Sequence, residues 1–338
     1  MDQPKTMRTC REALVWASSL LQQAGLNPKV AEWVLTHVLA AGRAEFLNML
    51  DQPLPEEQKE TFVAYLERIL QGEPYQYVLG SAEFYGREFV VNRNVLIPRP
   101  ETELLVEAVL KLWQSNWWER KNRGESRMAS PGQPVRAGNQ PLKGRPLKAV
   151  DVGTGSGAIA VTLALETAGG RQGEGNGGQG QPAQDGPMAS PLEMLAVDIS
   201  PAALKVAKIN AERWQAKVEL MHSNWLQALI ETGHKVDVIV SNPPYVSLEE
   251  RYVLDRTVVD YEPHLALFAG DGGLLGYKQI VRQSPAVLNR PGVLAFEVGR
   301  GQAEEVIAII QAVYPEAQCS VIPDWQGIGR VVVAKIEA

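Results

Sequence analysis

Cysteine is nearly absent from this chain of 338 residues: there are two, Cys10 and Cys319, far apart in sequence. No disulfide framework can be built from them, and both are read as reduced thiols in a reducing compartment. Histidine is also scarce, and His37, His222, His234 and His264 show no metal-ligand spacing, so no metal site is expected. No apolar run approaches the ~20 residues of a membrane span. The opening Met1-Asp2-Gln3-Pro4-Lys5 lacks the apolar core of a signal peptide. The expectation is a soluble, cytoplasmic protein. An excess of positive charge is missing as well: the net charge is −6 and the pI about 5.5. That argues against wrapping long nucleic acid through a basic surface, although a local basic patch stays open. What the chain does have is 45% hydrophobic residues, enough for two domains or one large domain with insertions.

Residues 1–80 read as a small helical bundle. Thr9-Cys10-Arg11-Glu12 has capping-box spacing ahead of Leu14, Val15, Leu20 and Leu21, and Gly25 is placed to end that helix. Asn27-Pro28 offers a cap and a first-turn proline for a second helix through Val30, Val34, Val38 and Leu39. A third is expected from about Pro55 to Leu70, closed by Gly72. Residues 1–90 carry 8 basic and 12 acidic side chains, so this part is no obvious phosphate binder. A structural cap and a docking surface for a macromolecular partner fit it equally well. Residues 81–97 read as a hairpin or linker with Asn92-Arg93-Asn94 as the turn, and 98–338 as the larger domain, opened by a helix after Pro98-Arg99-Pro100-Glu101-Thr102-Glu103.

Two stretches interrupt that larger domain. Residues 116–147 are polar, with 7 basic and 2 acidic side chains, and 168–191 form a tract with 8 Gly and 4 Gln among 24 residues. Neither composition can bury a core, and both read as mobile low-complexity insertions. Between and after them lie strand-like apolar runs at 147–152, 194–198, 218–221, 236–241, 293–298 and 330–335, most alternating with helical segments. That alternation is the pattern of a doubly wound α/β sheet.

Two strand ends carry the chemistry. Asp151-Val152-Gly153-Thr154-Gly155-Ser156-Gly157 follows one strand and precedes a helix, where glycines let backbone approach a ligand. The spacing is neither that of a dinucleotide fingerprint nor that of a P-loop, and a mere tight connection would use the same residues. Asp198 ends the next strand, where an acid can accept ribose hydroxyls, or else it caps the helix near Pro201. From Gly157 to Asp198 is 41 positions, and removing the 24-residue tract leaves 17, near the usual ~20. Asn242-Pro243-Pro244-Tyr245 follows the run ending at Ser241. Two prolines cannot extend a central strand, so the chain must leave the sheet there, presenting an amide, a rigid backbone and an aromatic ring at the ligand-binding edge. That set suits gripping a planar amide or amidine nitrogen. Glu297 is either a second site carboxylate or, preferred, a buried strand-end acid.

The glycine loop, the acid and Asn-Pro-Pro-Tyr together resemble the class I S-adenosylmethionine methyltransferases. Ile97-Pro98-Arg99-Pro100-Glu101-Thr102-Glu103, Tyr261-Glu262-Pro263 and Asp324, Gly327 and Arg330 narrow the resemblance to the HemK/PrmC family of protein-(glutamine-N5) methyltransferases. It covers nearly the whole chain apart from the two insertions. The resemblance implies a Rossmann-like α/β fold, a seven-stranded mostly parallel sheet with a small N-terminal helical bundle. It implies S-adenosyl-L-methionine as methyl donor, and as partner and substrate a peptide chain release factor methylated on the glutamine of its Gly-Gly-Gln motif. Gly153, Thr154, Gly155, Ser156 and Gly157 would line the methionine part of the cofactor, Asp198 the ribose and Trp225 the adenine region. Asn242, Pro243, Pro244 and Tyr245 would form the catalytic group, Asn242 touching cofactor and substrate and Tyr245 packing over the amide plane. The chain departs from the family in having Asn224 where Asp usually precedes the tryptophan; its carbonyl can still accept from the adenine amino group. Trp225 could instead be a core residue beneath the sheet edge.

Three rivals stay open: a glutamine methyltransferase of a large-subunit ribosomal protein, an adenine-N6 nucleic-acid methyltransferase, and a non-catalytic adaptor. The acidic charge and the bundle count against the second, and the intact motifs against the third. The tract also holds Gly177-Gly178-Gln179, a possible pseudosubstrate, but its composition makes that triplet common by chance.

Overall fold

The computed structural model describes residues 7–115, 118, 145–169 and 191–337. The chain divides into two compact units: Met1–Ala82 with Val91–Arg93 and Val253–Glu262, and Glu83–Val90 with Asn94–Tyr252 and Pro263–Ala338. Most of both insertions, and the Gly177-Gly178-Gln179 triplet, lie outside the described residues.

The first unit holds helices α1 (Cys10–Gln23), α2 (Val30–Val38), α3 (Arg43–Met49), α4 (Glu56–Leu70) and α5 (Tyr75–Leu79). The expected capping box is formed, with Thr9 and Glu12 bonding each other's backbone N–H groups. Helix α2 starts later than expected: Asn27 accepts from Lys29 N at 3.0 Å in a turn before it, so the Asn-Pro pair makes the entry rather than the cap. Three helices were expected here. Helices α3 and α5 were not, because seven- and five-residue segments are too short to display a period. Leu21, Leu35, Phe46, Phe62 and Leu66 fill the core. The late segment α10 (Arg256–Tyr261) belongs to this unit: the Tyr261 hydroxyl donates to Gln71 O, and Arg93 stacks on the Tyr261 ring while pairing with Glu73.

A two-stranded hairpin, β1 (Ser81–Phe84) and β2 (Arg87–Val90), turns at Tyr85-Gly86, both at positive φ. The turn expected at Asn92-Arg93-Asn94 is therefore not the hairpin's.

The second unit is a seven-stranded sheet ordered β5 (Val218–His222), β4 (Glu193–Asp198), β3 (Lys148–Val152), β6 (Val236–Ser241), β7 (Leu288–Glu297), β9 (Gly329–Ile336) and β8 (Gln318–Pro323). All pairs from β5 to β7 are parallel, and β9 runs antiparallel to both neighbours. β8, an exposed edge strand, was not expected. One face is covered by α6 (Thr102–Gln114), α7 (Ala158–Thr167) and part of α8 (Pro201–Arg213). The other is covered by α9 (Gln227–Thr232), α12 (Leu275–Gln283) and α13 (Ala303–Val313). A short helix, α11 (His264–Leu267), precedes α12. Every residue of β6 is buried, as a parallel strand between two helical layers requires. β3 and β4 pair without interruption from Lys148–Glu193 to Val152–Val197, so the long connection between them leaves the sheet undisturbed. The chain runs outward from β3 to β4 and β5, then returns to β6 on the other side of β3. The switch point therefore lies between β3 and β6, and their C-terminal ends open a crevice. Asp237 on β6 is fully buried and accepts from Arg145, Lys148 N and Asn289, fastening the opposite end of these strands.

Both cysteines are free thiols. Among the described residues no helix is long and apolar enough to cross a membrane, and no three His, Cys, Asp or Glu side chains are placed to hold a metal ion.

Candidate active site

A cavity of about 270 Å³ opens at the crevice. Its floor is the glycine loop. Gly153 and Gly155 have φ of +76° and +56°, and a methyl added to either would meet nothing within 4 Å, so both present bare backbone to open space. Gly157, at φ +81°, does another job. A Cβ there would sit 3.2 Å from Ala207, so the glycine lets the start of α7 pack closely on α8. The loop is held from below. Gly153 N and Thr154 N both donate to Val197 O, and the Thr154 hydroxyl donates to Asp151 Oδ2 at 2.6 Å. Asp151 has no solvent exposure, and burial raises its pKa to about 7.

Asp198 closes the floor at the end of β4. Its Oδ2 accepts from Gly155 N at 2.9 Å and its Oδ1 from Ser200 N at 2.8 Å. The helix cap is Ser200, whose hydroxyl accepts from Ala203 N, so the capping alternative for Asp198 is not realised. Burial raises the Asp198 pKa, against the lowering effect of these backbone bonds. Each carboxylate oxygen keeps acceptor capacity toward the cavity. Trp225 adopts a left-handed backbone, φ +54°; it lines the wall beside the exposed Asn224 and also packs against the core on that side of the sheet.

Asn242 reaches the cavity from the end of β6, and the Ser241 hydroxyl donates to Val152 O at 2.6 Å to tie the two strand ends together. The Asn242 Nδ2 donates to Thr102 Oγ1 at 3.2 Å, and the Thr102 hydroxyl donates to Glu297 Oε2 at 2.6 Å. Glu297 is 2% exposed, and burial pushes its pKa up to about 7. Pro244 also lines the cavity, whereas Pro243 and Tyr245 do not. The Tyr245 hydroxyl points to Glu297 Oε1 at 3.5 Å, and burial raises its pKa. Its carbonyl accepts from Gln302 Nε2 at 3.0 Å, and Gln302 Oε1 accepts from Gly299 N, so the rigid turn is clamped.

The structure thus gathers Gly153, Thr154, Gly155, Ser156, Asp198, Trp225, Asn242 and Pro244 around one cavity, with Gly157, Pro243 and Tyr245 supporting it. Three residues were not singled out from the sequence. Thr102 lies inside the Ile97 to Glu103 motif, but its partner is 195 positions away. Gln302 had no sequence signal. Gly276, on α12, is where a Cβ would come within 2.9 Å of Pro243 and 3.2 Å of Trp225, and its signal was the cluster Gly272-Gly273 just before it.

The residues fit an S-adenosylmethionine site: bare loop backbone, an acid at the second strand end and an aromatic wall sit in the order that a methionine chain, a ribose and a purine require. Comparison with known proteins shows the family. A PrmC N-terminal domain model matches residues 12–80, and an RMKL-like methyltransferase domain model matches 150–251. A Bacillus anthracis protein named release factor glutamine methyltransferase is 36% identical over 326 residues, covering 96% of this chain and 99% of its own length. One of the same name from Bacillus subtilis strain 168 is 37% identical over 330 residues, covering 98% and 99%. A solved protein-(glutamine-N5) methyltransferase from Alicyclobacillus acidocaldarius is 26% identical, covers 74% of this chain and all of its own, and superposes with a TM-score of 0.38. With relatives of that identity matched end to end, the chain belongs to the release factor glutamine methyltransferase family.

Proposed function

We propose that this enzyme transfers a methyl group from S-adenosyl-L-methionine to the side-chain nitrogen of a glutamine in peptide chain release factors, the glutamine of their Gly-Gly-Gln motif. The observation that carries the reading is the state of Asn242. Its amide nitrogen donates one proton to Thr102, which holds the NH2 end on that side, and its Oδ1 is engaged by no described residue at the wall of the cavity that the glycine loop and Asp198 share.

Bound there, S-adenosylmethionine supplies an electrophilic methyl on a sulfonium. Gly153, Gly155 and Ser156 would hold its methionine part, Asp198 both ribose hydroxyls, and Trp225 with Asn224 the purine. A glutamine nitrogen is a poor nucleophile, because its lone pair is delocalised into the carbonyl. The chain's contribution is therefore position and charge. Asn242 Oδ1 and the carbonyl of the peptide joining Pro243 to the cavity-lining Pro244 would accept the two N–H bonds of the substrate amide, aiming the nitrogen along the line of attack. As the nitrogen takes the methyl and becomes cationic both bonds strengthen, so they favour the transition state over the ground state, and the proton the nitrogen then sheds passes to water. Pro243-Pro244 and the Gln302 clamp on Tyr245 fix the acceptors before the substrate arrives. Residues 1–80 would dock the release factor, and 98–338 would carry out the transfer. Labelled-methyl transfer to purified release factor, large-subunit ribosomal protein and DNA tests the reading. Label in the release factor glutamine supports it, and label only in either of the others overturns it.

A further inference from the structure

The chemistry of Thr102 decides which way Asn242 faces. A threonine hydroxyl has one proton and two lone pairs. The 2.6 Å contact with Glu297 Oε2 is a short bond to a carboxylate, and it consumes that proton. Toward Asn242, Thr102 can then only accept, so it selects the amide NH2 group and rejects the carbonyl oxygen. The carbonyl is turned to the cavity, where the substrate nitrogen needs an acceptor. Both Thr102 and Glu297 are almost wholly buried, which limits water's access to the pair.

We propose that Glu297 and Thr102 are positioning residues that lock the Asn242 carboxamide with its oxygen toward the substrate amide. The inference deepens the reading above and rests on it, since it assumes that Asn242 accepts from the glutamine. The lock needs an ionised Glu297. When the carboxyl is protonated it donates to Thr102, the threonine proton is released, and the hydroxyl can satisfy either end of the Asn242 amide. The groups facing Glu297 are Thr102 and Glu101 at the start of α6, Tyr245 beyond β6 and Arg330 on β9, and the Tyr277 hydroxyl holds its backbone carbonyl. Of these Glu101 favours the protonated form and Arg330 the ionised one, with burial the largest influence and toward protonation. The acceptor geometry is therefore lost near neutral pH and below.

The test compares Thr102→Val, Thr102→Ser, Glu297→Gln and Asn242→Ala in the full-length protein. It measures kcat and KM for methyl transfer to purified release factor and binding of S-adenosylhomocysteine. Thr102→Val and Glu297→Gln should lose about ten- to a hundredfold in kcat, the scale of a misoriented contact, with cofactor binding unchanged within about twofold. Thr102→Ser, which keeps the hydroxyl, should retain wild-type kcat. The double variant Thr102→Val/Glu297→Gln should be no worse than the poorer single one, because the pair acts as a unit. The wild-type kcat should rise through pH of about 7, and that limb should vanish in Glu297→Gln. If Asn242→Ala is inactive while Thr102→Val and Glu297→Gln keep wild-type kcat, the lock is refuted and the function stands. If Asn242→Ala is itself active, the underlying reading falls and the lock falls with it. Equal losses in Thr102→Ser and Thr102→Val would also refute the lock.

Discussion

Glu297 should make the folded protein less stable as the pH rises toward neutrality, and Glu297→Gln should remove that penalty. The carboxyl sits at the end of β7 with almost no solvent contact, and burial raises its pKa from 4.5 to about 7, only partly opposed by the Thr102 hydroxyl and Arg330. In the unfolded chain it returns to about 4.3. Between those values the folded state holds a proton that the unfolded state has released, so stability falls as pH increases through the window. Below it both states are protonated and the penalty is absent. Above about pH 7 it is complete, and a shift of some 2.5 units corresponds to about 3 kcal/mol. Glutamine is neutral at every pH and, with an NH2 group beside its carbonyl, can meet Thr102 as donor or as acceptor, so it fits the space without fixing the threonine proton. Urea unfolding followed by circular dichroism from pH 5 to 8 should therefore show the variant gaining on the wild type steadily, by up to about 3 kcal/mol at pH 8. Asp151, raised to about 7 by the same cause, adds a similar slope to both proteins and cancels in the comparison. Parallel stability curves with a constant offset would refute the reasoning. The expected gain in stability, set against the expected loss of kcat, marks a carboxylate retained for function.

Further outcomes follow from other contacts. Asp198→Ala should weaken S-adenosylhomocysteine binding at least tenfold by calorimetry, since two charge-assisted hydroxyl bonds are each worth about 1.5–3 kcal/mol; an unchanged affinity would move the ribose elsewhere. Gly273→Ala, at φ +89° with its new methyl directed into the Tyr245 carbonyl, should cost about 2–4 kcal/mol in urea unfolding. Gly272→Ala next to it, at φ +62° with open space, should cost only about 1–2 kcal/mol, and equal losses would deny the clash. Asp237→Ala leaves Lys148 N and Asn289 without their acceptor and should cost about 2–3 kcal/mol while cofactor affinity holds; a stable variant would show that the buried carboxylate is dispensable.

The parts of this fold that were legible in the sequence are those where local chemistry and tertiary role coincide. β3, β4 and β6 are buried along almost all of their length, so their runs are mostly apolar, and the glycine loop and Asn-Pro-Pro-Tyr mark the ends of β3 and β6 with residues a sheet cannot use. β8 was missed because its residues alternate between exposed and partly buried and it ends in proline, which suits an edge strand and looks like a loop. The hairpin was misplaced for a related reason. Asn92-Arg93-Asn94 has the better turn composition, yet Tyr85-Gly86 makes the turn, and Arg93 serves the ion pair with Glu73. At the site, Asp198 and Trp225 could be placed from strand order and family pattern. The contacts of Tyr245 could not be read locally, since its hydroxyl meets Glu297 and its carbonyl meets Gln302, which reach it from other elements. The same holds for Thr102, whose role depends on a contact no local pattern announces.

In the proposed reaction Asn242 supplies the acceptor that positions a glutamine amide for methyl transfer. The most direct test is single-turnover transfer of labelled methyl from S-adenosylmethionine to purified release factor by wild type and Asn242→Ala. Calorimetry with S-adenosylhomocysteine would confirm that both proteins load cofactor. The variant should lose about a hundredfold or more in rate, the scale of removing one preorganised partner of a developing charge, while cofactor affinity changes little. Near-wild-type transfer by Asn242→Ala would contradict that role.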